Sequence, residues 1–193
     1  MDFTLSQEPP LVLDILPAAI DVADLDLAAM YDRYFAQVYN YLRYRVQDAR
    51  TADDLTAQVF ERVVQYRHRY QPERAAFNTW LFAIARHVVS DHYRAQKRRR
   101  WMPFDLLRHH PTDAPEPEKT VIRNESNTHL LQAVARLGDR EREVIALRFG
   151  AGLTNRQIAT MTGLTENNIG VILHRALRRL RVQLESEGIN NHE

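Results

Sequence analysis

Apolar residues recur at intervals of three and four along most of the chain, the spacing of one helix face, and no stretch carries a strong strand signal. Leu27, Met30, Tyr31, Phe35, Val38, Tyr39, Leu42 and Val46 form such a stripe on a long first helix. A second helix is predicted to open near Thr51, a residue suited to an N-cap, with Leu55, Val59, Phe60, Val63 and Val64 inward. A polar break over 66–76 contains Pro72, and a third helix then carries Phe77, Trp80, Leu81, Ile84, Ala85, Val88 and Val89 as its buried stripe. Three such faces can bury one another, which predicts a self-sufficient first domain. Further helices are predicted over about 128–137, 139–149, 154–161 and 165–183, with Gly138, Gly150, Gly152 and Gly163 in the short connections.

Between the two groups lies a stretch of another character. Pro103, Pro111, Pro115 and Pro117 are half of the eight prolines, set among Asp, Glu, His and Thr. Proline removes amide donors and resists helix, so this segment is expected to be an interdomain tether, or an ordered loop that follows a groove on a partner. The expected fold class is all-α: two small helical domains joined by a Pro-rich linker. The boundaries are a 1–26 acidic extension, a 27–101 helical bundle, a 102–128 linker, a 129–185 helix-turn-helix domain and a 186–193 tail.

Composition narrows the function. With no cysteine, disulfides, thiolate nucleophiles and cysteine-based zinc sites are excluded. All six glycines lie in the last third, so residues 1–137 cannot hold a glycine-rich phosphate loop, and a nucleotide-binding enzyme fold is not expected. His87 and His92, five apart, face different sides of a helix and do not suggest a metal site. No serine, histidine and acid set stands out. No cofactor, metal or catalytic role is expected. No apolar run reaches the roughly 18 residues that span a bilayer, and no basic-then-apolar leader opens the chain, so a cytoplasmic protein without membrane insertion is expected. The net charge of +1 conceals an asymmetry. Residues 1–32 hold seven acids and no base, whereas 33–100 hold fourteen bases against six acids. A basic body behind an acidic leader suits a protein that binds polyanions.

The most specific constellation is a helix-turn-helix over 155–174. Ala159 is the small residue where the two helices meet, and Gly163, four residues on, tolerates the positive φ of the turn. Ile158, Leu164, Ile169 and Ile172 stand where the helices must pack, with polar Thr162 the imperfect position. Thr154 and Gln157 form a capping box for the first helix, and Thr165 can cap the second. A recognition helix presents its N-terminal residues to base edges, here Thr165, Glu166, Asn167 and Asn168, followed by Val171. Asn can pair with adenine, Glu can accept from cytosine, and Val can touch a thymine methyl. His174, Arg175, Arg178, Arg179 and Arg181 then make a basic stretch suited to phosphates. A second basic run, Arg94, Lys97, Arg98, Arg99 and Arg100, ends the helix that carries Trp80 and Tyr93, a combination suited to single-stranded or melting DNA. Taken singly, Trp80 belongs to an apolar stripe and the arginines to a solvated helix end.

Three stretches together resemble the extracytoplasmic-function class of RNA polymerase sigma factors. Asp53-Asp54-Leu55-Thr56-Ala57-Gln58-Val59-Phe60 is similar to the helix that docks on the polymerase clamp. Phe77 to Arg86, with Asp91 and Arg94, resembles the −10 recognition and melting helix. Glu143 to Phe149 and the helix-turn-helix through His174-Arg175-Ala176 look like the −35 reader. The resemblance implies core-polymerase contacts from Asp53, Asp54, Leu55, Gln58, Phe60 and Glu61. It implies −10 contacts from Trp80, Arg86, His87, Asp91, Tyr93, Arg94, Lys97 and Arg98, with a flipped base held near 66–77. It implies −35 contacts from Thr165, Glu166, Asn167, Asn168, Val171, His174, Arg175 and Arg178. The implied partners are the clamp helices and flap of core RNA polymerase, promoter DNA, and an anti-sigma factor of the kind common in the class. His87 stands where Asn is common in the family, and Gly170 and Val171 replace positions often basic or hydroxylic. The rival expectation is a conventional regulator that uses the helix-turn-helix alone.

Overall fold

The computed structural model describes residues 27–101 and 121–190, all of whose regular elements are helical. The acidic leader, the Pro-rich stretch up to 120 and the last three residues lie outside the described residues. Helix α1 spans Leu27–Arg45, α2 Ala49–Tyr66 and α3 Phe77–Trp101, with a short 3₁₀ turn at Arg67–Arg69. Helix α4 covers Val121–Ala135, α5 Asp139–Ile145, α6 Asn155–Thr162 and α7 Glu166–Asn190. Between α5 and α6 the chain winds one wider π turn, Ala146–Gly150.

Most of the predicted stripe residues are buried: Val38 and Leu42 of α1, Leu55, Val59 and Val63 of α2, and Leu81, Ala85 and Val88 of α3 close over one another. Tyr41 and Phe82, outside the predicted stripes, are fully buried with them, whereas Tyr31 and Val64, inside the stripes, are exposed. Helix α2 starts before the expected Thr51: Asp48 is its N-cap, and its carboxylate accepts from the Thr51 backbone N–H at 2.7 Å and from the Thr51 hydroxyl at 2.6 Å. Two oxygen-bearing residues three apart compete for the cap, and the charged one takes it. Helix α4 likewise begins at Val121, inside the stretch expected to be linker.

The helix-turn-helix forms as its spacing requires. Thr154 and Gln157 close a capping box, Gly163 takes φ 71° at the end of α6, and Thr165 Oγ1 accepts from the Asn168 N–H at 3.2 Å. Ile158 and Ile169 are fully buried between the helices, with Leu164 and Ile172 half-buried beside them. Thr162 spends its hydroxyl on the Ile158 carbonyl at 2.7 Å, which makes a polar residue acceptable there.

The two helical groups pack against each other: one hydrophobic cluster runs from Met30 through Val89 into Ala133–Leu180. Its seam is α1 against the π turn, where a Cβ on Gly150 would lie 2.7 Å from Tyr41 Cα and 2.8 Å from Tyr41 N. Only glycine permits that approach. The turn's wider winding leaves the Ala146 carbonyl to accept from Ala151 N–H and the Leu147 carbonyl from Leu153 N–H, so its backbone stays satisfied.

Candidate nucleic-acid and polymerase interface

Three faces remain outside the core. The first is on α2, where Asp53, Asp54, Ala57, Gln58, Glu61 and Val64 are exposed along neighbouring three-and-four-residue rows. Leu55 and Phe60, expected on this face from the family resemblance, are 3% and 7% exposed and belong to the core. Their burial follows from the same stripe that folds α2 onto α1 and α3, so they hold the face in place. The exposed apolar area comes instead from Val64 and from Tyr31 of α1, whose ring lies 4.8 Å from that of Phe60 and 5.0 Å from that of Phe35. Periodicity alone assigns Tyr31 and Val64 to buried stripes; their position at the stripe's margin is what exposes them.

The second face runs along α3. Its start carries a cluster of rings, in which the stripe residues Phe77 and Trp80 meet Tyr34 of α1 and Tyr70 of the preceding loop. Phe77 sits 5.6 Å from Trp80, 5.2 Å from Tyr34 and 5.5 Å from Tyr70, and Tyr70 is 5.3 Å from Trp80, centroid to centroid. These rings are half-buried, with the exposed Arg67, His68 and Arg69 alongside. Burial pushes the Tyr70 phenol above its usual range. His87, Arg94, Lys97 and Arg98 follow, all exposed. Asp91 is held by Arg62 at 2.9 Å and Arg94 at 3.1 Å, and the Arg62 hydrogen bond, ahead of the nearby charges, keeps its carboxyl below the usual range. Tyr93 is half-buried and donates its hydroxyl to the Arg45 carbonyl, tying α3 to the end of α1. Arg86 points away from these residues: Nε meets Glu143 Oε1 at 2.7 Å, and Nη1 donates to the Met161 carbonyl at 2.7 Å.

The third face is α7. Ile169, Leu173, Ala176 and Leu180 make its buried stripe, which turns Thr165, Glu166, Asn167, Asn168, Val171, His174, Arg175 and Arg178 outward. Val171 is 41% exposed. Arg175, Arg178 and Arg179 line a groove of about 420 Å³ with Val182 and Gln183. Arg179 is paired, at 2.8 Å, with Glu141, whose carboxylate also accepts from the N–H of Gly138 at the start of α5.

Residues 30–99 match the family model for Sigma-70 region 2, and 133–182 match that for Sigma-70 region 4. The chain is 32% identical over 154 residues to the ECF RNA polymerase sigma factor RpoE of Cereibacter sphaeroides, covering 80% of this chain and 83% of that one. The chain belongs to the extracytoplasmic-function sigma factors. It is also 35% identical to the ECF RNA polymerase sigma factor BldN of Streptomyces coelicolor over 78% of its own length, spanning 57% of that relative. Among solved structures, the sigma factor RpoE of Bartonella quintana, crystallised with the anti-sigma factor NepR, shares the fold at a TM-score of 0.66 and 17% identity, over 83% of this chain and 97% of that one. CnrH, in complex with the cytosolic domain of CnrY, shares it at 0.62 and 18%, over 86% and 92%. The sigma factor is thus a two-region promoter-recognition protein that acts in transcription initiation with RNA polymerase. No helix among its described residues is long and apolar enough to cross a membrane.

Proposed function

We propose that the three exposed faces divide the work of initiation in the order in which they occur along the chain. The α2 face, with Asp53, Asp54, Gln58 and Glu61 around Tyr31 and Val64, docks on the clamp helices of core polymerase, while Leu55 and Phe60 keep that surface in shape. The ring cluster at the start of α3 receives an unstacked base of the −10 element, and Arg94, Lys97 and Arg98 follow the backbone of the same strand. Ring stacking and phosphate contacts of this kind offset the cost of unstacking without nucleotide hydrolysis. Asp91, Tyr93 and Arg86 act less directly: the first two position α3, and Arg86 becomes available once its partner leaves. The N-terminus of α7 enters the major groove at −35, where Asn167, Asn168, Glu166 and Val171 face base edges, with His174, Arg175 and Arg178 on phosphates.

The observation that carries this reading is the alignment of α7. Its buried stripe leaves every residue assigned to −35 contact exposed, beginning at the N-terminus of the helix. On this reading the protein works in the cytoplasm, supplies no catalytic group, and is restrained by an anti-sigma protein, as the RpoE neighbour crystallised with NepR suggests. Run-off transcription with core polymerase from the source cell tests it. The expected result is initiation at a subset of promoters only when the protein is added. A protein that binds duplex DNA tightly by itself as a dimer, with no promoter-dependent product, would instead be a conventional regulator.

A further inference from the structure

The acidic leader and the ring cluster carry complementary chemistry at the same end of the molecule. Residues 1–26 hold six acids and no basic side chain, and within 11–26 the carboxylates of Asp14, Asp21, Asp24 and Asp26 are interspersed with aliphatic residues such as Leu16, Ile20 and Leu25. The segment enters the fold at Leu27, which packs on the core at the start of α1. Tyr34, whose ring lies 5.2 Å from that of Phe77, follows seven residues later, about 10 Å along the helix. The leader therefore joins the fold beside the half-buried rings of Tyr34, Tyr70, Phe77 and Trp80.

Cations surround those rings. The Arg33 guanidinium stands 5.6 Å from the Tyr34 ring centroid and that of Arg69 5.1 Å from the Tyr66 centroid. Arg67 and Arg74 are exposed in the same loop as Tyr70, and the exposed acids set against the four arginines are Asp32 and Glu73. Among the described residues none of the four arginines forms an ion pair. The other exposed faces suit an acidic segment less well. Helix α2 presents Asp53, Asp54 and Glu61, which repel it. On α7, Arg179 and Arg181 already hold Glu141 at 2.8 Å and Glu185 at 2.7 Å.

We propose that residues 11–26 dock on the ring cluster of the free protein, carboxylates against Arg33, Arg67, Arg69 and Arg74 and aliphatic side chains against the rings. A single strand must displace them to reach the same surface, a step that rests on the assignment of the cluster to an unstacked −10 base. Tethering gives the segment an effective concentration on the order of millimolar. An intrinsic affinity of about 0.1 mM then covers the face about nine-tenths of the time and weakens strand binding about tenfold. Pairs this exposed are screened by salt, so the block weakens as ionic strength rises.

Because the chain has no cysteine, Ala18→Cys can carry a nitroxide in the full-length protein. The label is expected to broaden the amide signals of 67–77 and the Trp80 indole N–H, in dilute protein and independently of its concentration. An unlabelled oligothymidylate strand should restore them. Two unlabelled variants then test the consequence. One replaces Asp14, Asp21, Asp24 and Asp26 with Asn; the other replaces Leu16, Ile20 and Leu25 with Ser and keeps the net charge. The first should bind the fluorescein-labelled strand about tenfold more tightly than wild type at low salt, and the second several-fold more tightly. Both should lose the broadening when combined with the label. Absence of broadening at 67–80, its appearance on α7 instead, or its disappearance on dilution, the mark of a second copy, would overturn the proposal. So would broadening that survives a saturating strand, or a gain confined to the Asn variant, which would be a field effect of net charge. Failure of the −10 reading has a different signature: signals of 67–80 that the strand leaves unmoved even in the Asn variant, whatever the nitroxide reports.

Discussion

Single residues decide where elements begin and how close they come. Asp48 sets the start of α2 through a carboxylate whose hydrogen bond from the Thr51 hydroxyl, and next the one from the Thr51 N–H, hold it below the usual range. A carboxyl with a lowered folded-state pKa stabilises above its unfolded value of about 3.9 and ceases to as pH falls through the lower folded value. Replacing Asp48 with Ala should therefore cost about 1 kcal/mol at neutral pH, a typical cap contribution. The difference from wild type should shrink below pH ~4 and vanish in stronger acid. Urea titrations of both proteins at neutral and acid pH measure it; a gap that stays constant would assign the effect to helix propensity and not to the charged cap.

At the scale of elements, burial separates support from contact. Helix α2 carries both on opposite sides. Leu55→Ala should cost about 2–4 kcal/mol of stability, as deletions in a closed core do. Charge reversal at Asp54 and Glu61, both exposed, should leave the melting temperature within a few degrees and weaken core-polymerase binding by about tenfold or more, measured by fluorescence anisotropy. Equal loss of stability from the pair would place those acids in the fold and not at an interface. Helix α7 invites a parallel test. Arg175 and Arg178 are exposed and beyond the base-reading turn, so replacing both with Ala should weaken holoenzyme binding to every promoter alike. The slope of log K against log salt should flatten by about two, one for each phosphate that an arginine no longer neutralises. A changed −35 base preference at constant slope would instead make them readers. The helix-turn-helix was legible in the sequence because its determinants are local: a small residue, a left-handed glycine and four apolar positions within twenty residues. The stripes of α1 to α3 were legible for the same reason. What was not legible depends on distant partners. Tyr34, Tyr70 and Phe77 come together only when α1, the loop after α2 and α3 fold against one another. The π turn cannot be told from an ordinary helix end until Gly150 is seen against Tyr41. The first turns of α4 were hidden by the proline-rich, polar composition just before them.

For the whole molecule, the continuity of the core is the consequential feature. Helix α1 belongs by sequence to region 2, yet Tyr41 and Leu42 share their burial with Leu147 and Ala151 of region 4. Arg86 and Glu143 are 57 residues apart, and neither stretch shows in isolation that it has a partner. Two regions that share buried surface and a paired carboxylate cannot unfold independently without exposing both, and cooperative loss is the thermodynamic signature of such sharing. Scanning calorimetry of the free protein should accordingly show one transition whose calorimetric and van't Hoff enthalpies agree. A tether between independent domains would give two, with a van't Hoff enthalpy well below the calorimetric one. Gly150→Ala converts the first case into the second if the seam is the only coupling: its endotherm should split or broaden while the total heat falls by the small share that belongs to the interface. Salt should act in the same direction, because the Arg45–Glu143–Arg86 cluster is only partly shielded, with side-chain exposures of 10%, 18% and 32%, and screening weakens what solvent can reach. A wild-type endotherm that is already double at low salt would show that the regions close without cooperating, and the carboxylate grip would then be a contact of geometry with little bearing on stability.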